Sequence, residues 1–116
     1  MKLNIPYDDL RSWLDLAGEI GEVCGVEGAG WQEDIGMAAE LLNHSDPAPA
    51  TVFDKIPGYP QGHRVLVNFF GGRRKNMTLG LPPQLSNVQL SEGFTEAFQA
   101  NTPIPYEFVE DGPILE

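Results

Sequence analysis

The chain has 116 residues, 41% of them hydrophobic, with two Trp and six Phe, which is enough for the core of one domain and too little for two. Seven basic against seventeen acidic residues give a formal net charge of -10, which repels phosphate backbones and anionic lipid and so excludes nucleic acid and membrane surfaces as partners. The single cysteine, Cys24, excludes an intramolecular disulfide, and together with His44 and His63 it makes no recognisable zinc set.

Leu10, Trp13, Leu14 and Ala17 recur at helical spacing, which predicts an amphipathic helix over residues 7–17 with Asp8 and Asp9 in its first turn and Gly18 as its stop. Residues 19–26 read as a strand weakened by Gly21 and Gly25, and residues 27–30 as a turn. A helical period returns over residues 32–43 through Ile35, Ala38, Ala39 and Leu42. Pro47 and Pro49 mark a loop, after which residues 51–56 resume as a strand. After a turn over residues 57–62, Val65, Leu66, Val67, Phe69 and Phe70 make a nearly continuous apolar run, which predicts a strand over residues 63–70 covered on both faces and central in its sheet.

Residues 71–75, Gly-Gly-Arg-Arg-Lys, read as a basic turn, followed by an apolar stretch over residues 77–81 and a Pro82-Pro83 break. Ser86 and Gln89 have the spacing of a capping box and Leu85 and Leu90 that of a hydrophobic staple. A helix to Ala100 is expected there, with Leu90, Phe94, Ala97 and Phe98 inward, and residues 101–116 form an extended acidic tail. The order predicts a single α/β or α+β domain spanning 1–116, a small mixed sheet flanked by helices.

No local frame for chemistry stands out. Neither His44 nor His63 lies in a nucleophile motif, and Glu22 and Glu27 beside Cys24 disfavour a reactive thiolate. The Gly-rich turn at residues 25–30 fits no phosphate-binding pattern, and no carboxylate lies in an apolar run that would bury it. Residues 71–75 concentrate three of the seven basic residues, and two readings stay open: a solvated turn balancing nearby carboxylates, or a place that holds an anion or an acidic partner surface. No catalytic, cofactor-binding or metal residue is assigned. The absence of a signal-peptide core and of a long apolar run points to the cytoplasm.

Several segments in order resemble the N-terminal domain of the UbiD family of decarboxylases. They are Asp9 to Leu14, Gly18-Glu19-Ile20, Trp31 to Leu42, Thr51 to Pro60, Arg64 to Arg74, Leu79 to Pro82, and the tail from Pro103-Ile104-Pro105 through residues 110–116. The resemblance implies a role in the reversible decarboxylation of aromatic or α,β-unsaturated acids, with prenylated FMN, a divalent metal and a monovalent cation. In the family the catalytic Glu-Arg-Glu group and the cofactor ligands belong to a central domain downstream of everything matched here, so the chain alone is not expected to be catalytic. It implies either a small subunit docking on a larger, separately encoded catalytic subunit in a hetero-oligomer, or a fragment of a longer enzyme; a start at Met and a charged final residue suit the first. Phe69, Phe70, Arg73, Arg74, Tyr106 and Phe108 are the expected partner interface. The alternative is a stand-alone acidic interaction or regulatory module with the same fold and no decarboxylase partner.

Overall fold

In the computed structural model, which describes residues 2–115, four helices surround a three-stranded mixed sheet. Helix α1 covers Leu10–Glu19 and begins where Asp9 caps it: the Asp9 carboxylate accepts the Ser12 N–H at 2.8 Å while the Ser12 hydroxyl oxygen accepts the Asp9 N–H at 3.0 Å. The Ser12 N–H and the Ser12 hydroxyl, both donating to the Asp9 carboxylate, hold that carboxyl below the usual range. The box moves the start three residues past the expected Tyr7, so Asp8 and Asp9 precede the helix, and Gly18 lies inside it rather than stopping it.

Strand β1 (Val23–Glu27) lies parallel to β2 (Ala50–Asp54), and α2 (Asp34–Asn43) makes the crossover that parallel pairing requires. β2 then pairs antiparallel with β3 (Val65–Val67), giving the order β1-β2-β3. The central strand is therefore β2, and the expectation of a central strand over residues 63–70 is corrected. Pairing stops after Val67 because Asn68 turns into the left-handed region at φ 55, so Phe69 and Phe70 leave the sheet. The long apolar run thus joins a short edge strand to a surface loop.

Residues 72–78 also differ from expectation: Gly72–Thr78 is a helix, α3, where the composition suggests a basic turn. It packs beside α1, and Trp13, Ala17, Ala50 and Met77 form the buried core between these helices and the sheet. Phe53, fully buried, points from the opposite face of β2, the strand against which α2 packs. Polar groups tie the core side together: Trp13 Nε1 donates to Thr78 Oγ1 at 2.8 Å, that hydroxyl donates to the Arg74 carbonyl at 2.7 Å, and the Tyr7 hydroxyl donates to the Thr78 carbonyl at 2.8 Å.

Helix α4 (Asn87–Ala100) starts at the expected capping box, with the Ser86 side chain accepting the Gln89 N–H and the Gln89 side chain accepting the Ser86 N–H. Asn76 holds the loop before it, donating to the carbonyls of Pro83 and Leu85 at 3.2 and 2.9 Å. Leu90 and Gly93 face the body, but Phe94 and Phe98, expected inward, are exposed. Residues 101–109 have no regular secondary structure, and a 3-10 turn follows over Pro113–Leu115.

This arrangement is unusually open. The Cα radius of gyration is 17.8 Å, against about 13 Å for a compact domain of this length. The accessible surface is 8752 Å², where a folded monomer of this mass exposes about 6,200 Å².

Candidate functional site

The loop that carries Phe69 and Phe70 is held by an ion-pair knot beneath it. Arg74 is 0% exposed. Its Nε and Nη2 donate to the Asn68 carbonyl at 3.1 and 2.8 Å, and its Nη1 donates to Glu22 Oε2 at 2.7 Å. The other Glu22 oxygen accepts Arg73 Nε at 3.1 Å, and Arg73 also donates to the Ile20 carbonyl. Burial by itself would raise the Glu22 carboxyl; the hydrogen bonds from Arg73 and Arg74 outweigh it and hold the group below its usual range.

The knot works by fixing backbone. Asn68 is bridged on both sides, its amide donating to the Pro49 carbonyl at 3.0 Å while its own carbonyl accepts Arg74. Gly72, at φ 50, begins α3 where a Cβ would stand 2.5 Å from Glu22 Oε2, so the close approach of carboxylate to helix requires glycine. Phe69 then meets the buried Trp13 ring edge-on at 5.6 Å, and Phe70 tilts against Phe69 at 5.9 Å. Two rings, 45% and 51% exposed, are presented to solvent on a rigid loop.

Of the six expected interface residues, the structure brings Phe69 and Phe70 together at this loop and Tyr106 and Phe108 together in the tail, where their rings meet edge-on at 5.1 Å. Arg73 lies on the rim with its side chain half exposed. Arg74 is buried, its guanidinium hydrogen-bonded to the Asn68 carbonyl and to Glu22, so within this chain it holds the loop in place. Glu22, which the sequence pattern leaves as a solvated carboxylate, is the residue missed, its side chain only 11% exposed. The adjacent Gly21, at φ 74, is the available sign that the backbone turns there. Cys24 is half-buried with its sulfur 3.3 Å from Thr51 Oγ1.

A groove of about 380 Å³ runs beside α1 and β3 over Leu10, Leu14, Val52 and Leu66, with Asp9, Arg11 and Arg64 on its rim. Among the described residues no three His, Cys, Asp or Glu side chains are placed to share a metal ion, and no helix is long and apolar enough to cross a membrane.

The site is thus a small mixed α/β domain that exposes aromatic pairs above an ion-pair knot of Glu22, Arg73 and the buried Arg74. No protein-family model matches the chain. It is similar over 95% of its length, at 30% identity, to a phenolic acid decarboxylase of Streptomyces sp. (strain D7), and over 66%, at 35% identity, to a phenolic acid decarboxylase of Escherichia coli O157:H7. Among solved structures it superposes on a chain of the vanillic acid decarboxylase of Sedimentibacter hydroxybenzoicus in open form, with a TM-score of 0.73 and 26% identity over 85% of this chain. The chain spans about a fifth of each match: 23% and 17% of the two curated relatives and 21% of the solved chain. Its likeness is thus to one part of decarboxylases that act on phenolic acids.

Proposed function

We propose that this chain is the non-catalytic small subunit, or N-terminal domain, of a UbiD-like reversible decarboxylase acting on an aromatic or α,β-unsaturated carboxylic acid, docked on a separate flavin-binding catalytic subunit in the cytoplasm. The observation that carries this reading is the likeness across 95% of the chain to a phenolic acid decarboxylase of which it spans only 23%. The surface supports it, because about 2,500 Å² beyond that of a compact monomer is the scale that permanent complexes bury. In this reading the Phe69–Phe70 loop is a preorganised anchor that enters an apolar pocket of the catalytic subunit, with Arg73 at its rim.

Prenylated FMN, a divalent metal and a monovalent cation belong to the partner in this reading. In keeping with it, Arg73 and Arg74 are engaged with Glu22, and Lys75 donates to Asn87 Oδ1 at 2.7 Å. The chain's own part is to bind and hold shape, and the chemistry is the partner's.

The test is co-expression with a large UbiD-like catalytic chain from the same host, followed by measurement of carbon dioxide release from vanillic acid. Copurification, with higher or more durable activity than the large chain alone, supports the reading. Failure to copurify, with full activity from the large chain alone, removes it and leaves the stand-alone interaction module.

A further inference from the structure

Residues 86–114 carry a second surface, chemically unlike the Phe69–Phe70 anchor, and its assignment rests on the proposed function, in which a decarboxylase partner exists. Helix α4 lays Leu90 and Gly93 on the body and leaves Val88, Phe94 and Phe98 exposed, with the Phe94 and Phe98 rings stacked one turn apart at 6.3 Å. Past the helix, Ile104, Tyr106, Phe108, Val109 and Ile114 are 71% to 97% exposed. Ile104, Tyr106 and Phe108 recur at every second residue, which in an extended chain sets them along one edge. Pro103 and Pro105 fix φ and hold their preceding residues out of the helical region, so the segment is partly ordered for an extended role before anything binds.

Charge narrows the occupant. From Asn76 to the end of the chain there is no Lys, Arg or His, while Glu92, Glu96, Glu107, Glu110, Asp111 and Glu116 supply six carboxylates of a chain whose net charge is -10. A second copy of this chain would bring the same excess of negative charge against the first, which opposes association. An apolar edge interleaved with carboxylates is complementary to an apolar groove bordered by cations.

We infer that residues 86–114 form a docking arm, and that its occupant is a groove on the catalytic decarboxylase chain with apolar pockets at strand spacing for Ile104, Tyr106 and Phe108 and a Lys/Arg rim facing Glu107, Glu110 and Asp111. Phe94 and Phe98 continue the contact along α4. The surface in excess of a compact monomer, about 2,500 Å², is large enough for arm and anchor to be buried together in one interface.

The test places a photo-reactive benzophenone amino acid at position 70, 98 or 108 of the full-length chain in its own host and identifies the cross-linked peptides by mass spectrometry. Cross-links from 98 and 108 to a decarboxylase chain, beside Lys or Arg residues, are expected. A variant carrying Glu107→Gln, Glu110→Gln and Asp111→Asn is expected to associate about tenfold more weakly at low salt and to lose most of the salt dependence of the wild type. Cross-links to a decarboxylase from 70 but not from 98 or 108 leave the proposed function standing and overturn the arm. Cross-links from 98 and 108 to a second copy also overturn it, and an unchanged salt dependence in the triple variant overturns the basic rim. Absence of a decarboxylase from all three positions overturns the proposed function itself.

Discussion

Glu22→Gln keeps the shape of the side chain and an oxygen acceptor but removes the charge that balances Arg74. The Arg74 guanidinium is 0% exposed and has two hydrogen bonds to the Asn68 carbonyl besides the 2.7 Å contact with Glu22, so the substitution leaves a buried cation held by neutral acceptors alone. Removing one partner of a buried pair costs about 3–5 kcal/mol. Glu22 lies at the edge of the site with 11% of its side chain exposed, which places the loss near about 3 kcal/mol. The Arg73 contact adds under about 1 kcal/mol because that side chain is half in water. With a urea m-value of about 1.5 kcal/mol per molar, the midpoint should fall by about 2 M while m stays constant. A shift under about 0.3 M would mean that the Asn68 carbonyl suffices and that the knot does not organise the loop. Pairing the change with Arg74→Met should recover part of the loss, since no buried charge is then left alone. The pH dependence has a defined sign: the folded-state Glu22 carboxyl lies below its ordinary value of 4.5, so its stabilisation is complete above that value and disappears as pH falls through the lower folded one. Wild type should therefore lose urea resistance below about pH 4.5, and Glu22→Gln should lose less over the same range.

Four further substitutions separate body, arm and anchor. Gly80→Ala forces a side chain onto a φ of 76 and puts its Cβ 2.9 Å from the Asn4 backbone nitrogen, so the melting temperature should fall by several degrees, and an unchanged melt would disprove the contact with Asn4. Trp13→Phe deletes the donor to Thr78 and part of the seat of Phe69, with an expected loss of about 1–2 kcal/mol in denaturant titration. Ser86→Ala removes the α4 cap and should cost about 1 kcal/mol, visible as faster amide exchange in the first turn of α4. Phe70→Ala should leave stability within about 0.5 kcal/mol yet weaken association with the catalytic chain by about tenfold, measured by calorimetric titration. Equal effects on both would mean that Phe70 belongs to the fold.

The elements that can be read from sequence are those whose signal is local. The Ser86–Gln89 box marks the start of α4, and the spacing of Ile35, Ala38, Ala39 and Leu42 marks α2, because cap chemistry and helical period are short-range properties. The misread segments depend on distant partners. Residues 71–75 lack an apolar period, and they form a helix because Arg74 reaches a carboxylate 52 residues earlier in the chain. The run from Val65 to Phe70 reads as one buried strand because apolar content does not reveal that Asn68 reverses the backbone or that Arg74 caps its carbonyl. Phe94 and Phe98 follow an inward helical spacing, yet α4 has body on one side only, and period alone cannot state how much body there is. Glu22 is hidden for the same reason, since its burial comes from the two arginines folded over it.

The two aromatic surfaces differ in how they are held, and this fixes what each would contribute to a complex. Phe69 and Phe70 sit on backbone immobilised by Asn68, Arg74 and the Trp13 ring, so little conformational freedom remains to be lost when they bind and most of their burial appears as affinity. Residues 101–109 have no regular structure or core beneath them, and ordering them opposes association by about 1–2 kcal/mol per residue fixed, offset in part by the two prolines. In the proposed complex the arm would therefore add less affinity per unit area than the anchor. Its carboxylates would act at longer range there, governing encounter rate and salt sensitivity and opposing pairing of the exposed apolar segment with its own kind. Shortening the arm should consequently slow association more than it speeds dissociation, while Phe70→Ala should do the reverse; stopped-flow measurement of both rates separates the two, and identical kinetic signatures would refute the division of labour.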